Sequence, residues 1–411
     1  MRFTAGARSL RVMSRPVYGR QIRFVRKISL QLLVSFRGFP DQRPSQLATG
    51  QGLCLRKDEM SLAEVAVSNL RCVERAELVL HPGHNLIWGE NGSGKTSLLE
   101  AIFLLGRGRS FRTRNSERLI RYGEERLVVF GRTAGTPEQT LGIQVSRAGG
   151  TLARIGGTAT SSLAELSQAF AVQVIDPGVH KLVEEGGHRR RRWMDWAVFH
   201  VEPQFVDTWV RYTRTLRQRN AALKIQPAQA SAWNPELARL GEHIAESRRR
   251  FVERLQPYWH EAVSVLSGLE AELRYLRGWP QGMGLLEALV ASKARDEARH
   301  LTHPGPHRAD LVVELKGRPA REVLSRGQQK LVAVAMTLAQ LYLLQEQTQP
   351  SLTLLLDDPA AELDRRRFQG FIESVMRLKC QLVSTSLEPE SHVFGTPDRV
   401  FHVEQGEVRS V

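Results

Sequence analysis

The sequence predicts an α/β fold whose head is built on a parallel sheet and interrupted by a helical insertion; three observations carry that prediction. Residues 89–96 (GENGSGKT) match the pattern G-x-x-x-x-G-K-[ST] between an apolar run, Asn85 to Trp88, and a helical pattern, Ser97 to Leu105. Residues 352–356 are apolar almost throughout and end in Asp357 and Asp358, the texture of a strand buried on both faces in a parallel sheet. Between Arg189 and about Arg299 the periodicity turns helical, broken at Pro227, Pro235, Pro257 and Pro280.

Taken in order, residues 1–59 stand apart. They carry twelve Lys or Arg against three Asp or Glu, nine of the fifteen net positive charges, with no sustained periodicity and one apolar cluster, Ile28 to Phe36. A disordered nucleic-acid-binding tail, an Arg-rich targeting segment and an extension read through from an upstream start codon all fit this basic extension. The remaining excess of six charges makes residues 60–411 only moderately basic.

Residues 60–188 form the first half of the head. Ala63 to Val67, Ala76 to Leu80 and Asn85 to Trp88 read as strands feeding the glycine-rich loop and its helix. Leu127 to Gly131, Leu141 to Val145 and Thr151 to Ile155 alternate with Gly-rich turns, predicting an antiparallel meander, and Val172 to Ile175 closes the lobe. Residues 189–300 form the helical arm, too short and too interrupted for a very long coiled coil. Residues 301–411 complete the head with strand Leu311 to Leu315, helix Gln328 to Leu344, the Leu352 to Leu356 strand, helix Arg366 to Leu378, and strands Gln381 to Val383 and Arg399 to Val403.

Three segments carry chemistry. In the first, Gly89, Glu90, Asn91, Gly92, Ser93 and Gly94 form a loop whose backbone amides can curl around phosphate oxygens at a helix N-terminus, because glycine reaches conformations closed to other residues. Lys95 would reach the β and γ phosphates of ATP, and the Thr96 hydroxyl would ligate Mg²⁺. In the second, Asp357 and Asp358 emerge at the carboxyl end of a buried strand, where open α/β sheets bind ligands. Asp357 would hold Mg²⁺, and Asp358 would orient or deprotonate the attacking water. In the third, Ser325 is placed to cap the helix that follows, with Gly327 and Gln328 beside it, leaving a hydroxyl and amides to meet a γ phosphate carried by another subunit.

The order of phosphate loop, Ser-x-Gly-Gln signature, two aspartates and Glu362-Leu363-Asp364 resembles an ABC-type ATPase head. Asn69-Leu70-Arg71, residues 105–113 (LGRGRSFRT), 190–202 (RRRWMDWAVFHVE), 218–223 (QRNAAL) and 305–311 (GPHRADL) narrow the resemblance to the RecF family of bacterial DNA replication and repair proteins, from about Met60 to near the C-terminus. Because it begins at Met60, the read-through origin is preferred for residues 1–59. The resemblance implies an ABC-type P-loop head with an antiparallel β lobe and an inserted arm, lobe II. It further implies an ATP-driven homodimer that binds single-stranded and gapped duplex DNA and supports RecA loading, replication and the SOS response with RecO and RecR. Transporter heads usually carry Glu where Asp358 stands, so slow, DNA-dependent hydrolysis is expected. Ser384-Thr385-Ser386 replaces their switch histidine, and no glutamine-loop counterpart is evident near Val174 to Pro177.

Arg107, Arg109 and Arg112 after the loop helix are the first DNA-binding candidates, followed by Arg189 to Arg192 and by Arg211, Arg214, Arg217 and Arg219 at near-helical spacing. Such clusters neutralise phosphates without reading sequence. Trp193, Trp196 and Trp209 are expected in the arm core. No apolar run approaches the ~20 residues that span a bilayer. Cys54, Cys72 and Cys380 lack metal or redox spacing, so a cytoplasmic protein with reduced thiols is expected. A transporter-type subunit is disfavoured by the long insertion and by Asp358; a non-hydrolysing adaptor using ATP to dimerise is the other alternative.

Overall fold

The computed structural model describes residues 61–135, 138–160, 163–348, 352–359, 365–389 and 392–411. The expectations for residues 1–59, the Met60 start and Glu362-Leu363-Asp364 fall outside them. Strands β1 (Leu62–Leu70) and β2 (Val73–Val79) alternate buried and exposed positions and form an antiparallel hairpin. Its turn holds Asn69 and Arg71 at φ 59° and 53°, a left-handed region that Asn tolerates and Arg rarely adopts. After β3 (His84–Trp88) come the loop helix α1 (Lys95–Arg107) and strands β4 (Arg126–Thr133), β5 (Thr140–Ser146), β6 (Gly150–Ile155) and β7 (Thr158–Thr160). The hairpin and these four strands make one sheet in the order β2-β1-β4-β5-β6-β7, the expected meander, packed over α1 through Leu62, Val129, Leu105 and Ile102.

Helix α2 (Leu163–Ala169), strand β8 (Ala171–Ile175) and helix α3 (Lys181–Glu184) lead to the arm helices α4 (Gly187–Val201), α5 (Phe205–Ile225) and α6 (Asn234–Ser267). Strand β9 (Glu272–Leu276) and helices α7 (Leu285–Ala291) and α8 (Lys293–Arg299) follow, then β10 (Asp310–Leu315), β11 (Arg318–Pro319), α9 (Ala320–Val323) and α10 (Arg326–Thr348). Strand β12 (Leu352–Leu356), helix α11 (Arg365–Met376) and strands β13 (Gln381–Ser386), β14 (Arg399–Glu404) and β15 (Glu407–Ser410) complete the chain. The second six-stranded sheet has the order β15-β14-β3-β13-β12-β8, parallel from β14 to β8, with β15 antiparallel at its edge. All five residues of β12 are buried, as its nearly unbroken apolar run requires.

Two features of the arm depart from expectation. Pro257 does not break a helix: α6 runs 34 residues through it. A mid-helix proline costs about 3 kcal/mol, and here Phe251, Val252, Leu255, Trp259 and Val263, all buried on one face, outweigh that cost. Nor is the arm purely helical, since β9 pairs with β10 in a separate three-stranded sheet, Leu276 opposite Asp310 through Glu272 opposite Glu314. A five-residue strand whose partner lies more than thirty residues onward leaves little local signal.

Several of the arm's arginines are structural. Arg219 is 2% exposed and donates to Asn234, Asp296 and Thr302; Arg248 forms a two-bond pair with Asp195 and also meets the Pro306 carbonyl. Arg190 pairs with Asp310 and three backbone carbonyls. Trp193 and Trp196 are buried and Trp209 half-buried against the same core, as expected.

Three histidines make the fold acid-sensitive. Burial pushes the imidazoles of His84, His200 and His307 down to about 4. His84 bonds Ser384 and His307 bonds Tyr212 in these sites. A folded-state value below the unfolded 6.5 means that the unfolded chain takes up protons first, so their stability is present above pH 6.5 and lost as pH falls toward 4. Each contributes at most roughly 3 kcal/mol to that loss, and the buried Asp195 carboxyl, raised by desolvation, opposes it. Denaturant midpoints should therefore fall between pH 6.5 and 4; a flat profile would show that the cost of protonating these rings is no larger than the opposing effect of Asp195.

Candidate nucleotide-binding site

The five parallel strands β14, β3, β13, β12 and β8 all end at the sheet's carboxyl edge, where ligands of open α/β sheets bind. Behind β3, the loop turns through Gly89, Gly92 and Gly94 at φ 153°, 79° and 120°. Gly89 has a second constraint: a Cβ there would lie 2.2 Å from the Val403 carbonyl oxygen of β14. Lys95 Nζ donates to the Gly89 and Glu90 carbonyls at 2.6 and 2.8 Å, pinning the ammonium onto its own loop. Burial lowers its pKa, while the charges of Asp358 and Asp357 act the other way.

Behind β12, Asp357 is buried and accepts from Thr96 Oγ1 at 2.9 Å and from Thr385 Oγ1 at 3.2 Å. Burial raises its carboxyl against the lowering effect of those two hydroxyls. Asp358 is exposed, at φ 48°, and its backbone N–H donates to Thr385 Oγ1 at 2.9 Å. Asp is a residue type that tolerates this backbone conformation, and Asp358 borders the cleft beside Asp357. Thr96 and Asp357 offer adjoining hard oxygen donors, which fits Mg²⁺, an ion commonly held by one or two protein groups with water and phosphate oxygens completing its shell. A cavity of about 450 Å³ joins Asn91, Gly92, Gly94, Lys95, Thr96, Asp357 and Asp358.

The signature residues lie elsewhere. Helix α10 begins at Arg326, two residues earlier than the periodicity predicts, with Ser325 as its cap: Gln328 N meets Ser325 Oγ at 3.4 Å and Ser325 N donates to Gln328 Oε1 at 3.0 Å. This reciprocal box extends the helix at its start. Ser325 and Gly327 are exposed and Gln328 half-exposed, and none of them borders the 450 Å³ cavity.

Among the DNA-contact candidates, Arg107 must be corrected. Its guanidinium is buried, stacked over Phe103 and Trp196 with centroid distances of 5.4 and 4.7 Å, so it cannot meet a DNA backbone from outside. It ends a helix buried on every side from Ser97 onward, and Trp196 of the arm covers its guanidinium. Arg112 is exposed and Arg109 half-exposed. Of Ser384-Thr385-Ser386, Ser384 faces away to His84, whereas Thr385 and Ser386 border the cavity.

Three further groups escaped sequence reasoning. Asp176, at the carboxyl end of β8, adjoins Asp357; its carboxyl is raised by burial and by the charge of Asp357. Its place just past a predicted strand was the available signal. Arg71 and Cys72, from the β1–β2 turn, also border the cavity, and Arg71 is held by Glu100 of α1 at 2.6 Å. Only the tertiary fold brings that hairpin to the loop.

Comparison with known proteins follows the same outline. Residues 61–409 match the family described as RecF/RecN/SMC N terminal domain. The DNA replication and repair protein RecF of Pseudomonas aeruginosa (strain LESB58) is 39% identical over 359 residues, covering 85% of this chain and 97% of its own; that of Pseudomonas putida (strain F1) is 38% identical, covering 85% and 98%. A solved structure of the recombination mediator protein RecF-ATP in the RecFOR pathway superposes with a TM-score of 0.79 at 26% identity, over 88% of this chain and 100% of that one. An Smc head domain with an extended coiled coil, at 14% identity and TM-score 0.52, shares the fold over 85% of this chain and 95% of its own. With an ABC-type head, an inserted arm and this degree of identity along nearly the whole of its relatives, the chain belongs to the RecF family of DNA replication and repair proteins.

Proposed function

We propose that this protein is an ATP-dependent DNA-binding repair protein whose ATP-bound homodimer holds gapped or single-stranded DNA and releases it on slow hydrolysis. The observation that carries the reading is the division of the site: Lys95, Thr96, Asp357 and Asp358 share one cavity, while Ser325 stands exposed outside it at the start of α10. A donor set so placed suits a nucleotide bound by one copy and closed by Ser325, Gly327 and Gln328 of a second.

In this reading the amides of Gly89, Glu90, Asn91, Gly92, Ser93 and Gly94 cradle the phosphates, and Lys95 exchanges its bonds to the Gly89 and Glu90 carbonyls for phosphate oxygens. Thr96 and Asp357 would hold Mg²⁺, which would neutralise charge on the phosphates. Asp358, which borders the cleft, accepts a proton from the attacking water or orients it. Its side chain is one methylene shorter than Glu, which supports slow turnover; the limit of that trend is an adaptor that dimerises on ATP without cleaving it. The family supports RecO, RecR and RecA as partners and the cytoplasm as location. Arg109 and Arg112 are the remaining DNA-contact candidates after the α1 helix.

Sedimentation of the full chain with ATP and gapped DNA tests this. A monomer should become a dimer with ATP and sediment with DNA, and Lys95→Arg should keep the fold while losing phosphate release and weakening DNA retention. ATP-dependent dimers that never release phosphate would favour the adaptor, and a monomer with ATP bound would sink the divided site.

A further inference from the structure

A second cavity of about 420 Å³ lies on the far side of the loop 108–114, between that loop, the end of β8 and the start of α4. Six guanidiniums border it: Arg107, Arg109, Arg112, Arg114, Arg189 and Arg192. Elsewhere in the arm buried arginines are saturated with carboxylates and carbonyls. Here only Arg189 is, through Glu185. Among the described residues the side chains of Arg109, Arg112, Arg114 and Arg192 make no ion pair or hydrogen bond. Arg107, 7% exposed, keeps Nη1 buried without a hydrogen-bond partner.

The like charges strain one another. Arg109 is lowered to about 10 by burial and then by Arg192, and Arg192 is lowered by burial and then by Arg114 and Arg189. The acids around it are mostly committed elsewhere: Glu185 is engaged by Arg189 and Asp195 by Arg248, which leaves Asp176 as the one carboxyl on the cavity wall. A folded protein that assembles more cations than counterions stores repulsion that a multivalent anion relieves.

We propose that this cavity is a phosphate-binding site, seating a phosphate group against Arg109, Arg114 and Arg192. Phe103, Phe111 and Trp193 also border it, so the carrier of the phosphate meets an aromatic wall. Two sources share this chemistry, a backbone phosphate of a DNA strand and free phosphate. Only the first rests on the DNA-binding reading above. Arg112 borders both this cavity and the nucleotide cavity, so an occupant here sits one side chain from Asp357.

The test compares the full chain with Arg109→Ala/Arg192→Ala, using inorganic phosphate and a short single-stranded oligonucleotide as separate probes and ATP binding as the control for folding. Both probes should weaken by about tenfold or more in the variant, the salt dependence of oligonucleotide binding should flatten by about one phosphate contact per arginine, and ATP affinity should hold. Arg114→Ala, at an exposed unpaired side chain, should shift both probes in the same direction by less, and guards against misfolding of the double variant. Weaker phosphate binding with unchanged oligonucleotide binding would support the site and assign free phosphate to it. Wild-type protein that binds phosphate here but no oligonucleotide would defeat the DNA reading and leave the site standing. Unchanged affinity for both probes in both variants overturns the proposal.

Discussion

Asp358→Asn is expected to lower ATP turnover by about two to four orders of magnitude, the usual contribution of a positioned general base, with the melting temperature nearly unchanged. The substitution removes the proposed proton acceptor and little else. Asn tolerates the φ of 48° that position 358 adopts, and the bond from its backbone N–H to Thr385 Oγ1 involves no side-chain atom of residue 358. Asp357, the Thr96 hydroxyl and the glycine loop are untouched, so ATP should still bind and ATP-driven dimers should accumulate. Single-turnover phosphate release measured beside sedimentation separates the two effects. Turnover within a few-fold of wild type would remove Asp358 from the chemistry and return the role of water activation to another group, such as Asp176, whose carboxyl feels the charge of Asp357.

Arg219→Ala should cost on the order of 3–5 kcal/mol of stability, as removal of one partner from a buried ion pair does. Arg219 is 2% exposed and Asp296 wholly buried, and the same guanidinium satisfies the Asn234 amide oxygen and Thr302 hydroxyl that tie α5 to α6 and to the turn after α8. Among the described residues, Asp296 then keeps hydrogen bonds only with Ser292 and with the ring and backbone N–H of His303. Urea unfolding would read the loss directly. A change below about 1 kcal/mol, typical of an exposed pair, would mean that water enters the site. The exposed pair of Arg211 with Glu236, one helical stretch away, is the natural control, because solvent screens it.

These two residues mark different kinds of legibility. The position of Asp358 at the carboxyl edge of the sheet could be read from sequence: a nearly unbroken apolar run has few places to go except a buried parallel strand, and whatever follows it emerges at the ligand edge. Arg219 could not. In sequence it is one of four arginines at helical spacing that equally suit a DNA-facing stripe, and only the approach of Asp296, 77 residues onward, turns it inward. Arg107 went the same way: a cation at the end of a helix reads as solvated until Trp196 packs over it.

What the residues settled alone was whatever rests on short-range periodicity and steric permission. The glycines that let the loop curl, the apolar strands that carry it, the meander and the serine that caps α10 all depend on neighbours within a few positions. What only the tertiary structure decided was pairing across distance: which arginines meet a carboxylate and which meet one another, the strand β9 that finds β10, the proline that α6 absorbs, and the arrival of Arg71 and Asp176 beside the nucleotide cleft. The physical reason is that burial and charge compensation are properties of a site's surroundings, and those surroundings come from segments tens to hundreds of residues apart.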